Sequence, residues 1–496
     1  MRLLLVSCAL LVPACASSTA TSPDGEASAV VGGAWEAPRT VADGGPRLLV
    51  TCEPYPPTSF PCRPLFRESW PLLTLAPSGL GLALWNRWDG SQFRLASARF
   101  TAGAWDAPSD VASGGRGEPE SPSFGQYALA GDRGGNGLAV WRADGPLLLA
   151  SRFTASGWSP AEPVGMGVHA APLLPDQAAG LVVWEGDAPR ALLWSRRDAS
   201  GWTPPAVLVD MPRSEPVVDE HALALAPDGS AVVAWTVRNS GFSDAPPPAY
   251  TEVWTSRYTA PRGWDAARRI ARFEDSRVFS LRVAAQAFGA VLGYQLVSTR
   301  VSTFGAGGVW VQDAVHAAGE GDAWSQPRQI GGAEPGMTYA DLPALALDAR
   351  GNGVLAWVAV STAPAQRYTI RAARFSSTTR QWEPPAELTG TPGFGDSAYP
   401  PDDLRVALSD AGNAVAVWTY DDRAQGRSRL WASHLVPAPG WSAPWLLREA
   451  DDTGQGSGLS APEAAMDASG NALVLWAQAD GERARIWSAR LVAQTR

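Results

Sequence analysis

The sequence predicts an all-β chain folded as an eight-bladed β-propeller, and three observations predict it. An apolar run ending in an aromatic residue recurs eight times. Each copy is flanked by turn and strand signals sufficient for four short antiparallel strands. The one strand missing from the last unit is found at the other end of the chain.

The recurring run is Gly-Leu-Ala-Leu-Trp85, Gly-Leu-Ala-Val-Trp141, Gly-Leu-Val-Val-Trp184, Ala-Val-Val-Ala-Trp235, Ala-Val-Leu-Gly-Tyr294, Gly-Val-Leu-Ala-Trp357, Ala-Val-Ala-Val-Trp418 and Ala-Leu-Val-Leu-Trp476. The aromatics are spaced 56, 43, 51, 59, 63, 61 and 58 residues apart. Runs this short and this apolar, bounded by turns, read as strands buried on both faces. Ahead of most of them lies a tight turn: Asp132 to Asn136, Asp348 to Asn352, Asp410 to Asn413 and Asp467 to Asn471. Asp bonds its own backbone there, and Gly and Asn tolerate positive φ, so these are hairpin turns. The preceding apolar segments, such as Ala344 to Leu347, supply the first strand of each unit. A third strand follows the aromatic, as in Arg94 to Phe100 and Ile486 to Leu491. A fourth begins with Trp, and Trp105, Trp324 and Trp441 are followed by Pro108, Pro327 and Pro444. Proline suits an outer edge, where it blunts pairing with other chains.

Of the 23 Trp, seven end the second strand, eight begin the fourth and five lie in the third, so blade packing accounts for most of them. The last unit stops after its third strand, while Gly33-Ala-Trp35-Glu-Ala-Pro38-Arg-Thr-Val41 is a fourth strand with no unit before it. Its pairing into the final blade closes the ring and removes both open edges. One domain over residues 31–496 is expected, because adjacent blades need each other to bury their faces.

Met1-Arg2 and the apolar run Leu3 to Val12 form an export signal too short to span a bilayer. Val12-Pro13-Ala14-Cys15 matches a bacterial lipobox, giving a signal peptide over 1–14, lipid on Cys15 and a flexible tether over 15–30. Ala14-Cys15-Ala16 also fits the ordinary small-x-small cleavage site, which releases a soluble periplasmic or secreted protein. The expected address is the bacterial cell envelope, at the outer membrane, with the lipid as the only membrane contact. Cys52 and Cys62, ten apart in an exported chain, read as a disulfide loop.

Composition narrows function mainly by exclusion. All 40 basic residues are arginine, the net charge is −9, and no phosphate-binding surface for nucleic acid is expected. Absence of lysine removes Schiff-base, P-loop and kinase chemistry, and no Gly-x-Ser-x-Gly, His-Glu-x-x-His or Cys-x-x-Cys occurs. No cofactor, metal ligand set or catalytic residue is assigned, and a monomer is expected.

In an antiparallel blade the first–second and third–fourth connections share one face, here short and repetitive. The second–third and fourth–first connections share the other, where the long irregular segments fall. This loop face is the candidate surface, because variable loops on a rigid scaffold are where sites usually lie. It carries acids, including Asp219, Glu220, Asp341, Asp402 and Asp403, read as a solvated rim or a collar for a cation or basic partner. Trp88, Tyr127, Tyr339, Tyr399 and Trp445 lie off the repeat or near the loops, and are read as blade-edge residues or as platforms for sugar rings. The candidate ligand face therefore comprises Trp88, Tyr127, Glu220, Tyr339, Asp341, Tyr399, Asp402, Asp403 and Trp445.

The Trp-rich repeats look like those of exported bacterial propeller lipoproteins. More distantly they resemble the Asp-box (BNR-type) repeats of sialidase-like propellers, Ser-x-Asp-x-Gly-x-x-Trp. The nearest segment is Ser409-Asp410-Ala-Gly412-Asn413 with Trp418, in which Ser abuts Asp and the Trp falls further along. No Phe-Arg-Ile-Pro-like segment accompanies it, and no catalytic residue is carried over. The functional expectation is a non-catalytic binding or scaffold protein that presents its loop face to a glycan or an envelope protein. The alternatives are a sialidase-like or other polysaccharide-cleaving enzyme, and a structural subunit of an envelope complex.

Overall fold

A computed structural model describes residues 30–46, 68–88, 93–113, 127–143, 145–175, 180–187, 190–210, 216–239, 249–260, 262–298, 307–316, 323–332, 337–361, 367–389, 401–422, 426–437, 440–451, 459–480 and 483–495. These residues form strands and turns, with no helix among them. The signal, the tether, Cys15, Cys52 and Cys62 lie outside the described residues.

Eight antiparallel sheets form eight blades, each with its strands in sequence order from the ring's inner wall outward. The first, innermost strands are Glu68–Leu75, Tyr127–Gly131, Val168–Leu173, Val217–Leu225, Ser276–Gln286, Met337–Leu347, Asp402–Leu408 and Leu459–Met466, numbered here as blades 1 to 8. First strands of neighbouring blades touch all the way round, blade 8 against blade 1 included. The ring closes as expected: Val30–Trp35 and Arg39–Pro46 pair with Arg483–Thr495, the third strand of blade 8. Trp105 of blade 1 then donates its indole N–H to Ser488 of blade 8 at 2.9 Å, and Trp158 of blade 2 does the same to Ser97 of blade 1 at 2.8 Å.

The fourth strand is in two pieces, a finding the repeat pattern did not reveal. In blade 1 Ala104–Trp105 and Ser109–Ser113 both pair with Phe93–Thr101, and the segment between them keeps one ladder bond, from Asp106 N–H to Arg99 O at 2.8 Å, before the break. Pro108 sits in the break. It has no N–H to give the ladder and its ring fixes φ, so pairing stops there and resumes beyond.

The eight aromatics ending the second strands are the buried centres of the fold, none of them more than 3% exposed. Seven of them pack into the seam with the preceding blade, and Trp235 stacks on Trp254 of its own blade. Trp85 packs with Leu475 and Ile486 of blade 8 and with Val41, Trp418 with Val358 and Ile370 of blade 6, and Trp476 with Val415 and Leu430 of blade 7. Truncation of one such ring to alanine costs about 3–5 kcal/mol. Glycine makes room for two of them: a Cβ at Gly165 would stand 2.5 Å from Trp184, and one at Gly331 would stand 2.7 Å from Trp357.

Because residues 31–42 supply both Val41 to the seam of blades 8 and 1 and the outer strand of blade 8, their loss bares an apolar seam and a sheet edge together. The chain lacking residues 31–42 is expected to unfold at lower temperature and to self-associate as its concentration rises. Calorimetry and light scattering check this, and a monomer with an unchanged midpoint would contradict the closure.

Candidate functional site

The inner wall of the ring is shaped by one repeated irregularity. In seven of the eight blades the first strand carries an extra residue near the buried aromatic of the second strand. Asp402 pairs with Thr419 and Arg405 with Val417, so Asp403 and Leu404 together oppose Trp418. Ser280 and Leu281 oppose Tyr294 in the same way, and Pro343 and Pro462 occupy equivalent bulges in blades 6 and 8. Such bulges bend a strand and re-aim the side chains beside them. Three bulge residues take left-handed backbone, His169, Ser280 and Asp403, with φ of 52°, 53° and 52°.

The residues at which pairing resumes form a level around the channel. Opposite the residue before the aromatic, blades 1, 3 and 6 place Leu72, Ala171 and Ala344 and blades 5, 7 and 8 place Arg282, Arg405 and Glu463, whereas in blade 4 His221 lies one step nearer the loops, opposite Trp235 itself. The Arg405 Nε donates to a Glu463 carboxylate oxygen at 3.2 Å. Arg282 donates to its neighbour's carbonyl, Leu281 O, at 3.0 Å. Glu185, at the end of the second strand of blade 3, lies 3.2 Å from His169 Nδ1 and 3.5 Å from His221 Nδ1.

Burial perturbs three of these groups. It pushes the Glu463 carboxyl up, against the opposing pull of Arg405. Burial, followed by the charge of Arg405, lowers the Arg282 guanidinium. Arg282 is nevertheless open to solvent, which fits a side chain that stands in a water-filled channel with protein on its flanks. His221 is held below the ordinary range, first by burial and then by His169, against the attraction of Glu185 and Glu220.

The channel is crossed at its other end. Arg133, in the blade 2 turn, donates to Asp410, in the blade 7 turn, at 3.0 Å, and Asp410 also accepts the Ala349 N–H of blade 6 at 2.9 Å. The sequence places Asp410 at the head of its turn, as Asp132 and Asp348 are in theirs. Instead Ser409 takes that position, its hydroxyl accepting the Asn413 N–H at 3.1 Å, and this leaves Asp410 available to span the ring. A cavity of about 330 Å³ lies at this end, walled by the turn-side ends of the first strands of blades 2 to 6, with Asp132, Leu174, Ala226 and Gln286 among its residues.

The sequence-selected residues scatter over this frame. Glu220 is a clamp between blades: its two carboxylate oxygens accept the N–H groups of Ser280 and Leu281, at 3.1 and 2.8 Å, in the bulge of blade 5. Asp403 is itself a bulge residue, and Asp402 begins the same strand. Tyr127 begins the first strand of blade 2 opposite Trp141. Tyr339 and Asp341 pair with Val360 and Val358 in blade 6, and Trp88 with Phe93 at the loop-face end of blade 1. Trp445 is 57% exposed on the outer strand of blade 7, paired with Ala432 and away from the channel. Tyr399 lies outside the described residues. Acids that the sequence suggests as a bare rim are matched with arginine: Asp219 holds Arg238 and Arg277, and Glu274 holds Arg272. Among the described residues no three His, Cys, Asp or Glu side chains cluster as metal ligands. His221, Arg282, Arg405 and Glu463 were missed because their first strands mix polar and apolar residues without a repeated pattern. For Arg282, Arg405 and Glu463 the only mark is a charged residue where blades 1, 3 and 6 have Leu or Ala.

No family model matches the chain, and a search of curated proteins found no relative. Solved structures that resemble it include a polysaccharide lyase, Uly1, with 9% identity over 79% of this chain and 94% of that one and a TM-score of 0.46. Others are the α-L-arabinanase of Penicillium chrysogenum, with 11% identity over 93% and 98% and a TM-score of 0.36, and the α-L-arabinofuranosidase of Fusarium graminearum, with 11% identity over 75% and 93% and a TM-score of 0.39. At these values the function is to be argued from this chain's own residues.

Since the folded state raises the Glu463 pKa, ionisation of this group opposes folding once pH climbs past its ordinary value of 4.5, and the full penalty holds above its folded value. Glu463→Gln removes the penalty while keeping an acceptor for Arg405. The variant is expected to melt higher than the parent at pH 7, with the difference vanishing toward pH 4. A variant that melts lower at pH 7 would show that the bond to Arg405 outweighs the burial.

Proposed function

We propose that the protein is an exported binding protein, lipid-anchored through Cys15, that receives a glycan at the loop-face mouth of its central channel without cleaving it. The observation that carries this reading is the arc of His221, Arg282, Arg405 and Glu463 beside the bulges of the inner wall, where blades 1, 3 and 6 bring Leu72, Ala171 and Ala344 instead. With the far end of the channel crossed by Arg133 and Asp410, a ligand enters from the loop face and meets these side chains on the way in. Polar groups of this kind, few and convergent within a concave site, orient and select a ligand. Attachment to the envelope rests on the Leu3 to Val12 run and the Val12-Pro13-Ala14-Cys15 site.

Polysaccharide cleavage is the second reading, and Glu463 favours it. A carboxyl whose pKa is raised by burial remains protonated to higher pH, as a general acid must.

The soluble chain from residue 31 onward, screened on a broad glycan array and then assayed for released sugar, separates the two. Binding without release is the expected result, and release would replace the first reading by the second. In cells, Cys15→Ser is expected to move the protein from the detergent phase to the aqueous phase on partitioning. Unchanged partitioning would remove the lipid anchor.

A further inference from the structure

Most arginines of the inner wall and the loop-side strand ends share a carboxylate, and Arg282, like Arg142 at the end of the second strand of blade 2, does not among the described residues. Arg238 and Arg277 share Asp219, Arg269 and Arg272 share Glu252, Arg427 and Arg429 share Glu449, and Arg405 has Glu463. Arg282 has a single hydrogen bond, to the carbonyl of Leu281, and no carboxylate at ion-pair distance among the described residues. Glu220 acts on it only through the longer-range attraction of its charge, because both Glu220 oxygens are engaged by the main chain of blade 5.

Arg282 and Arg405 hold equivalent positions two blades apart, each at the point where pairing resumes after the bulge. They are close enough that the charge of Arg405 disfavours that of Arg282. The equivalent residue of the blade between them is Ala344, which brings only a methyl group. Two guanidiniums therefore flank a position where blade 6 brings a methyl group, inside a channel where solvent reaches Arg282. Such an arrangement carries a standing repulsion that an incoming anion relieves.

From this we infer that Arg282 and Arg405 form a carboxylate-binding subsite, and that the glycan received by the channel is an acidic one built from hexuronic acid units. The inference rests on the glycan reading above and adds the chemical class of the ligand. Planar guanidinium forks match a planar carboxylate with paired N–H···O bonds, a fit that the tetrahedral sulfate of a sulfated sugar lacks. Arg405 reaches the ligand while it keeps Glu463, since one guanidinium has five N–H donors. Arg282 supplies the larger part of the attraction because it has no carboxylate to leave.

Calorimetric titration of the soluble chain with three short oligosaccharides tests this: an oligogalacturonate, a neutral galacto-oligosaccharide and a sulfated galacto-oligosaccharide. The oligogalacturonate is expected to bind, and to weaken as salt is raised. The neutral and sulfated oligomers are expected to bind at least about tenfold more weakly, as is the oligogalacturonate to Arg282→Gln. Arg282→Lys, which keeps the charge and loses the fork, is expected to fall between parent and Arg282→Gln. Arg282 hydrogen-bonds only its own neighbour's carbonyl, and melting temperatures of both variants check that folding is preserved. Equal binding of the neutral and acidic oligomers, with Arg282→Gln like the parent, would overturn the carboxylate subsite and leave the glycan reading standing. Preference for the sulfated oligomer would overturn it in favour of a sulfate ester. Failure of all three, together with a blank glycan array, would remove the glycan reading itself.

Discussion

A blade of this protein has two apolar faces, and a bulky aromatic projects into the seam with the blade before it. No blade can be stable alone, since Trp85, Trp357 or Trp476 would face water unless a neighbouring sheet covered it. The same requirement recurs at every seam, so an open array would leave one aromatic-bearing face and one sheet edge exposed. Closure by Val30–Trp35 and Arg39–Pro46 answers both at once. The first strands are thereby held around a common channel, at positions fixed by packing several residues away from anything the channel does.

That packing also accounts for the polar wall. In six blades the chain opposes the large ring with one residue more than a regular ladder would have. In blade 4 the extra residue falls beside the ring, and in each case the strand twists locally where it is placed. Proline is the second residue of the bulge in blades 1, 6 and 8, where an unpaired position makes its missing N–H harmless. His169, Ser280 and Asp403 are the first residue of the bulge in blades 3, 5 and 7, in left-handed backbone, a conformation uncommon for residues other than glycine and more often found for Asp, Asn and His. The bulges are a by-product of aromatic packing, and they are also what brings Arg282, Arg405 and Glu463 to one level.

The parts of this architecture that could be read from the sequence were those in which one solution repeats. Eight second strands with the same apolar run, and turns built on Asp, Gly and Asn, are written in residue types that only those structures favour. The bulges were not legible because they have no residue signature of their own: proline, histidine, serine, aspartate and leucine all occupy them. The blade 7 turn shows the same limit on a smaller scale. Ser409 and Asp410 are both good turn-anchoring residues, and which of them anchors depends on a partner in another blade, Arg133, that lies 277 positions away in the chain. Trp445 was misleading for the opposite reason, since an aromatic off the repeat looks like a ligand platform wherever it falls, and this one lies on the outer strand.

The use of arginine as the only strong cation gives the charge pattern its meaning. A guanidinium has five donors, so one carboxylate can hold two arginines and still leave N–H groups unsatisfied, as Asp219, Glu252 and Glu449 each do. Across the loop-side strand ends this economy leaves little free charge of either sign, and an acidic chain presents a surface of matched pairs instead of a collar of acid. Imbalance is then informative where it persists. At the level of Arg282 and Arg405 the two guanidiniums stand in different blades with an alanine between them, and Glu463 holds Arg405 alone, so the pair does not converge on one carboxylate as neighbours on one strand do. The rigid ring prevents the side chains from relaxing this mismatch by moving the strands that carry them. A surplus of positive charge held in place by the packing of distant aromatics is a preorganised anion site, because the cost of assembling it was met when the ring closed.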